Sequence, residues 1–177
     1  MLLNTRLTMA DNKTFKMNTR LFKILFGASI GLYMTIVCFN NITDYDSNFQ
    51  FVRMVSGMSD VFSKEKTGWR SVNNKIFHHI MYLVIIVWEV TITILTISGT
   101  IKMTRNLKSE TSEFNQSKKL LTAGLSFGII LWFSMFITIG GEWFLMWQSK
   151  NWNGQNTAFL LCICFLLFLI YLNQHDN

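Results

Sequence analysis

Gly140-Gly141-Glu142-Trp143-Phe144-Leu145-Met146-Trp147-Gln148, running on to Trp152-Asn153-Gly154-Gln155, decides the fold. These sixteen residues hold three of the chain's six tryptophans, one acid and three glycines, and they lie between two long apolar runs. Tryptophan concentrates at the membrane–water boundary, where its ring is apolar on one side and its N–H is wet on the other. Trp143, Trp147 and Trp152 therefore read as an interfacial girdle joining two membrane-spanning helices.

Outward from this girdle, apolar residues gather into four runs, about 21–39, 76–101, 120–147 and 157–172. Each approaches or exceeds the ~17 residues needed to cross the hydrocarbon core. Half of the 177 residues are hydrophobic, a share that soluble proteins also reach. The gathering, not the amount, sets the class. The expected fold is all-α, a four-helix transmembrane bundle over residues 21–173 with up-down-up-down connections. A polar tail over 1–20 precedes it. The chain has no proline, and the broken helices of transporters commonly use proline or glycine, so straight helices are expected.

The net charge of +6 invites a nucleic-acid reading, but its placement speaks for a membrane. The segment up to Lys23 and the stretch 102–119 hold ten of the sixteen Lys and Arg residues. If four helices span, those segments share one side, and the positive-inside bias puts both termini in the cytoplasm. The partner so implied is the lipid bilayer, with no role for nucleic acid. Cys38, Cys162 and Cys164 all fall within apolar runs, so no disulfide framework is visible. Leu21–Phe39 follows a basic flank like a signal peptide but lacks the small-residue cleavage pattern, which favours an uncleaved first helix.

The long loop over 40–76 opens with Asn40-Asn41-Ile42-Thr43-Asp44-Tyr45, which is turn and cap chemistry. Phe51, Val52, Val55, Met58 and Phe62 then share one face of a short amphipathic helix in this first outer loop, with Asp46 or Ser47 as its N-cap. In the second span, His78, Tyr82, Glu89, Thr93, Thr96 and Thr100 keep a single helical stripe. A charged carboxylate at mid-bilayer costs at least ~2.5 kcal/mol, so Glu89 should face the bundle. In the third span Ser126, Ser134, Thr138 and Glu142 follow an i, i+4 ridge. His78, Tyr82, Glu89, Thr93, Thr138 and Glu142 thus form the candidate polar intramembrane cluster. Gly27/Gly31 and Gly124/Gly128 are G-x-x-x-G pairs. Both fall near the same end of parallel helices, so they are expected to pack together or to form a homodimer seam.

Phe39-Asn40-Asn41-Ile42-Thr43-Asp44-Tyr45, Asn48-Phe49-Gln50-Phe51-Val52, His78-His79, Trp88-Glu89 and the girdle from Gly140 to Gln155 together resemble the bacterial DUF2165 family. Its members are small integral membrane proteins with a domain of unknown function. The resemblance covers about 20–172. It implies a bacterial inner-membrane protein of four helices and carries no activity, ligand or catalytic residue.

Adjacent histidines on a helix diverge by about 100°, and His175 lies at the opposite membrane face, so His78 and His79 assemble neither a haem nor a zinc set. No cofactor, metal or catalytic constellation is expected. Two functions remain: a non-catalytic membrane scaffold or accessory subunit, docking a membrane-protein partner or a second copy, and a small proton or cation transporter or channel using Glu89. The first is the expectation, because helix breaks are not evident.

Overall fold

This computed structural model describes residues 2–176, with side chains from Thr14 onward. The helices are α1 (Leu2–Thr43), α2 (Tyr45–Ser56), α3 (Lys64–Thr67), α4 (Lys75–Arg105), α5 (Thr111–Ser117), α6 (Lys119–Ile130) and α7 (Gln155–Asn173). A π-helical segment over Leu131–Trp143 continues α6, and short 3₁₀ turns cover Gly68–Arg70 and Met146–Gln148. No strand occurs among the described residues. Four helical stretches are long and apolar enough to cross a membrane: Thr14–Thr43, Lys75–Arg105, Thr111–Trp143 and Gln155–Asn173. Large apolar side chains such as Leu32, Val87, Phe133 and Leu167 stay exposed on all four, as a lipid-facing surface requires and a water-facing one does not tolerate.

The helices outrun the apolar windows, because hydropathy marks the lipid boundary and not the end of the backbone ladder. Helix α1 continues through Asn40-Asn41, where Thr43 Oγ1 bonds the Phe39 carbonyl at 2.7 Å. It also includes most of the 1–20 segment expected as a tail, although the side chains of 1–13 lie outside the described part. Helix α4 starts behind Asn74, whose side chain accepts from the N–H groups of Ile76 and Phe77 at 2.9 and 3.2 Å. It ends with Lys102 and Arg105 in its last turn, where cations suit the carbonyl end of the helix dipole. The polar 102–119 stretch is mostly helical, with only residues 106–110 linking α4 to α5.

Two expected details differ. Asp44, not Asp46 or Ser47, stands at the N-cap of α2, without a side-chain cap bond. Phe62 is 76% exposed, whereas Phe49, Val55 and Met58 are buried. The apolar face of α2 ends at the left-handed turn of Met58 (φ 51°), which breaks the helical periodicity before Phe62.

The third span is continuous, but it does not keep regular α-helical winding. From Leu131 its bonds run i→i−5, as in Phe144 N–H to the Ile139 carbonyl at 2.9 Å. In this winding a Cβ at Gly140 or Gly141 would lie 3.3 Å from the carbonyl five residues back, that of Met135 or Phe136. Glycine at both positions removes that crowding. The i, i+4 ridge therefore fails here: Thr138 Oγ1 donates to the Phe133 carbonyl at 3.0 Å and the side chain is exposed.

Helix α4 is the axle. Gly27 and Gly31 of α1 approach Thr100 and Ile97, and Gly124 of α6 approaches Thr96. The two G-x-x-x-G pairs therefore do not pack on each other as expected; α4 lies between them. Gly128 faces Phe165 of α7 instead. Lipid offers no hydrophobic driving force between helices, so close backbone approach and dispersion contacts hold these seams. The hydroxyls inside them are satisfied within the helix, Thr96 to Ile92 O (2.9 Å) and Thr100 to Thr96 O (2.8 Å). Helix α7 touches the bundle through one stripe, Ala158, Phe165 and Leu172.

Each end of the bundle is tied differently. At the basic end Arg20 donates to the Leu107 and Ser109 carbonyls at 3.0 and 2.8 Å. Lys23 and Lys118 there converge on Asp176. At the other end Val55, Met58, Phe144 and Met146 form a small core joining the two loops.

Candidate functional site

The stripe on α4 turns inward as its spacing predicts: His78, Tyr82, Glu89, Thr96 and Thr100 are all buried. Glu89 is 1% exposed. Its Oε2 accepts from Asn41 Nδ2 of α1 at 2.6 Å, and the Asn41 carbonyl accepts from Tyr82 Oη at 2.8 Å. Asn41 thus joins the two α4 residues through α1. Thr93 Oγ1 donates to the Glu89 carbonyl at 2.8 Å and meets Cys38 Sγ at 3.3 Å.

Among the described residues Glu89 Oε1 has no hydrogen-bond partner, yet it is not one of the sealed, unpaired atoms. Glu89 borders a crevice of about 260 Å³ beneath α2, walled mostly by Val37, Phe51, Val52, Ile85, Trp132 and Phe136, with Asn41, Asn48 and Tyr82 as the other polar members. That space is large enough for several water molecules, and the Asn41 and Asn48 amides and the Tyr82 phenol offer polar partners for them. Among the described residues the buried Trp132 indole N–H finds no acceptor. Toward the basic end the way is closed, since Met34, Ile92, Thr96 and Leu125 are each no more than 1% exposed. The carboxyl thus opens to one side only.

The remaining expected members do not join this group. Glu142 is exposed and accepts from Gln155 Nε2 at 3.3 Å, and Thr138 bonds its own helix. His78 sits eleven residues before Glu89, about 16 Å along the helix axis. Its Nε2 lies 2.7 Å from the Val72 carbonyl, which can only accept, so that nitrogen carries a proton. His79 Nδ1 pairs with Tyr45 Oη at 2.8 Å, and its ring stacks on Phe49 at 4.1 Å. These are locking contacts between α4 and α2. No three His, Cys, Asp or Glu side chains among the described residues form a metal set.

The girdle tryptophans divide. Trp143 and Trp147 are exposed, and Trp143 meets Trp69 edge-on at 5.8 Å with Arg70 over both rings. Trp147 meets Phe62 edge-on at 6.0 Å. Trp152 turns inward against Phe51. Exposed aromatics from both loops mark one level, as interfacial belts do.

A family model described as predicted small integral membrane protein (DUF2165) matches residues 19–175. The chain belongs to that family. This DUF2165 chain is accordingly a multi-pass integral membrane protein that contacts the lipid bilayer. Among curated proteins and among solved structures, nothing matches it.

Asn41 is the residue that sequence reasoning missed at this site. Its place after the apolar run made it read as loop, whereas about one further helical turn of α1, through Thr43, holds it level with Glu89. Replacing it isolates the bond it makes: Asn41→Leu should cost about 1–3 kcal/mol by leaving Glu89 without its donor. Asn48→Leu, on the same crevice but without a bond to the carboxyl, should cost less. Unfolding in graded denaturing detergent compares the two, and equal losses contradict the assignment.

Proposed function

We propose that this protein carries protons or small monovalent cations, with Glu89 as the group that takes up and releases them. The supporting observation is that Glu89, with Oε1 unpaired among the described residues, borders a largely apolar crevice that opens to one side and carries the Asn41, Asn48 and Tyr82 polar groups. A carboxyl held in the membrane is retained at a cost, which favours a functional role. One-sided access fits a carrier that must rearrange better than an open pore. The π-helical third span offers the irregular element such a rearrangement needs, since π turns are costly and concentrate at functional sites. On this reading the helices run up-down-up-down in a bacterial inner membrane. Both termini lie on the cytoplasmic side with the basic end.

The test is flux in proteoliposomes under a pH or cation gradient. Wild type should dissipate the gradient, and Glu89→Gln, which keeps shape and a hydrogen-bonding group but removes the charge, should fall to the protein-free rate. No flux in wild type removes the transport reading.

The non-catalytic scaffold or accessory subunit remains the second reading, favoured by the Tyr82–Asn41–Glu89 chain itself. Those bonds pin α1 against α4 in one register, which a carboxyl can do without exchanging anything. It is supported if wild type conducts nothing while Asn41→Leu and Glu89→Gln lower stability together and a stable membrane-protein partner copurifies in mild detergent.

A further inference from the structure

A second cavity, independent of Glu89, lies at the aromatic end with Phe49 in its wall. It is open, about 480 Å³ in volume, and bounded by Arg53 of α2, Lys64 of α3, Asn73, and Lys75 and His78 of α4. Phe49 and His78 form its buried wall, and the bond from His78 to the Val72 carbonyl holds that ring in place. Three cations from three helices therefore converge on one space, and none of the residues bounding it is an acid.

The contrast with the other end of the molecule gives this arrangement its meaning. There, two lysines share a carboxylate, so their charge is answered within the chain. Among the described residues, Arg53, Lys64 and Lys75 take part in no ion pair. Arg53, Lys64 and Lys75 are exposed at the rim of this open cavity, so solvent screens part of their mutual repulsion, and an anion seated among them would relieve the rest. An arginine fork and two ammonium groups suit a tetrahedral oxyanion, which presents more acceptor oxygens than a carboxylate. Exposed Trp69, Trp143 and Trp147 belong to the same end, so the cavity lies near the level where tryptophans meet headgroups.

The geometry points to a phosphoryl-binding site formed by Arg53, Lys64 and Lys75, with the Asn73 amide as a neutral donor. The phosphoryl group comes either from an anionic lipid headgroup or from phosphate in solution. An anion bound only by the folded state raises the thermal midpoint in proportion to its occupancy.

The experiment places the full chain in nanodiscs and reads that midpoint in two arms. In the first, phosphatidylcholine discs are titrated with inorganic phosphate, with chloride at equal ionic strength as the control. In the second, phosphatidylglycerol replaces part of the lipid with no phosphate added. A rise in the first arm assigns the site to free phosphate, and a rise confined to the second assigns it to a lipid headgroup. In either case Arg53→Gln/Lys75→Gln should abolish the rise. Its own midpoint in plain phosphatidylcholine should match wild type, because no fold contact is removed. If that pair does not fold, Lys64→Gln carries the test and should weaken the response about 5-fold. No rise in either arm, or a rise that survives these substitutions, overturns the site. The Glu89 flux assay reads a different residue, so failure here leaves that result untouched.

Discussion

Gly99→Ala should disrupt the bundle, although alanine is the better helix former by ~1 kcal/mol. A Cβ at this position would land on the backbone nitrogen of Leu121, with the Leu121 Cα and Cβ only 2.8 Å away. A side chain can rotate aside; the first turn of α6 cannot move without drawing α6 away from α4. That separation would also open the contacts of Gly124 with Thr96 and of Gly27 with Leu121. Overpacking typically costs 1–3 kcal/mol, and a site with no flexible neighbour belongs at or above the top, so about 3 kcal/mol is expected.

Gly31→Ala is the matched control. Its Cβ would meet the Ile97 Cγ1 at 3.2 Å, with the nearest backbone atom at 3.8 Å. Ile97 is 38% exposed and has room to yield, so the gain in helix propensity should leave this variant near neutral. Unfolding in graded denaturing detergent, or steric trapping in bicelles, separates the two. Equal stability of both variants, or a stabilised Gly99→Ala, would show that the α4–α6 seam is not set by backbone approach.

The four spans were legible because lipid imposes a demand on every residue of a long segment, and a long run of apolar side chains cannot be mistaken for much else. The inward turn of Glu89 was legible for the same reason: its alternatives are all costly. What composition did not show was where hydrophobic length and helical length part company. Asn41 lies past the apolar run yet inside α1, so the partner of Glu89 was hidden. The π winding was hidden too, because nothing about Leu131–Ile139 departs from an ordinary apolar helix; Gly140-Gly141 was the one available signal. Gly99 escaped notice because it stands outside any G-x-x-x-G pair, although it makes the closest backbone approach of the α4 seam. The G-x-x-x-G pattern names residues that permit close approach and does not say to which helix. Arg20, Lys23 and Lys118 fall in the basic segments that the sequence reading used only to orient the chain, but the fold buries them as internal ties.

That last difference carries the second large effect: Asp176→Ala should destabilise the protein far more than Lys23→Met does. Lys23 Nζ lies 3.1 Å from Asp176 Oδ2, and Lys118 meets the same oxygen. Both lysines also donate to the Gln174 carbonyl, at 2.6 and 3.1 Å. The side chains of Lys23 and Asp176 have no exposure at all. Removing the acid leaves two buried ammonium groups facing each other over one carbonyl, and stripping one partner from a buried pair typically costs 3–5 kcal/mol. The cost has a ceiling here, because α7 ends at Asn173 and the residues after it can swing away to let water reach the lysines. About 3 kcal/mol is therefore expected. It should come with faster hydrogen exchange at the residue 174–176 amides and little dependence on salt, since the pair is shielded from solvent ions. Lys23→Met removes a charge but keeps an apolar stem of similar length, and Lys118 still answers Asp176, so its cost should stay below about 1 kcal/mol. Adding Lys23→Met to Asp176→Ala should then recover part of the loss by ending the repulsion, a non-additivity that a double-mutant cycle reads directly. Additive losses in that cycle would mean that the two lysines do not compete for one carboxylate, and the basic end would have to be held together by the Arg20 bonds and the lysines' bonds to the Gln174 carbonyl.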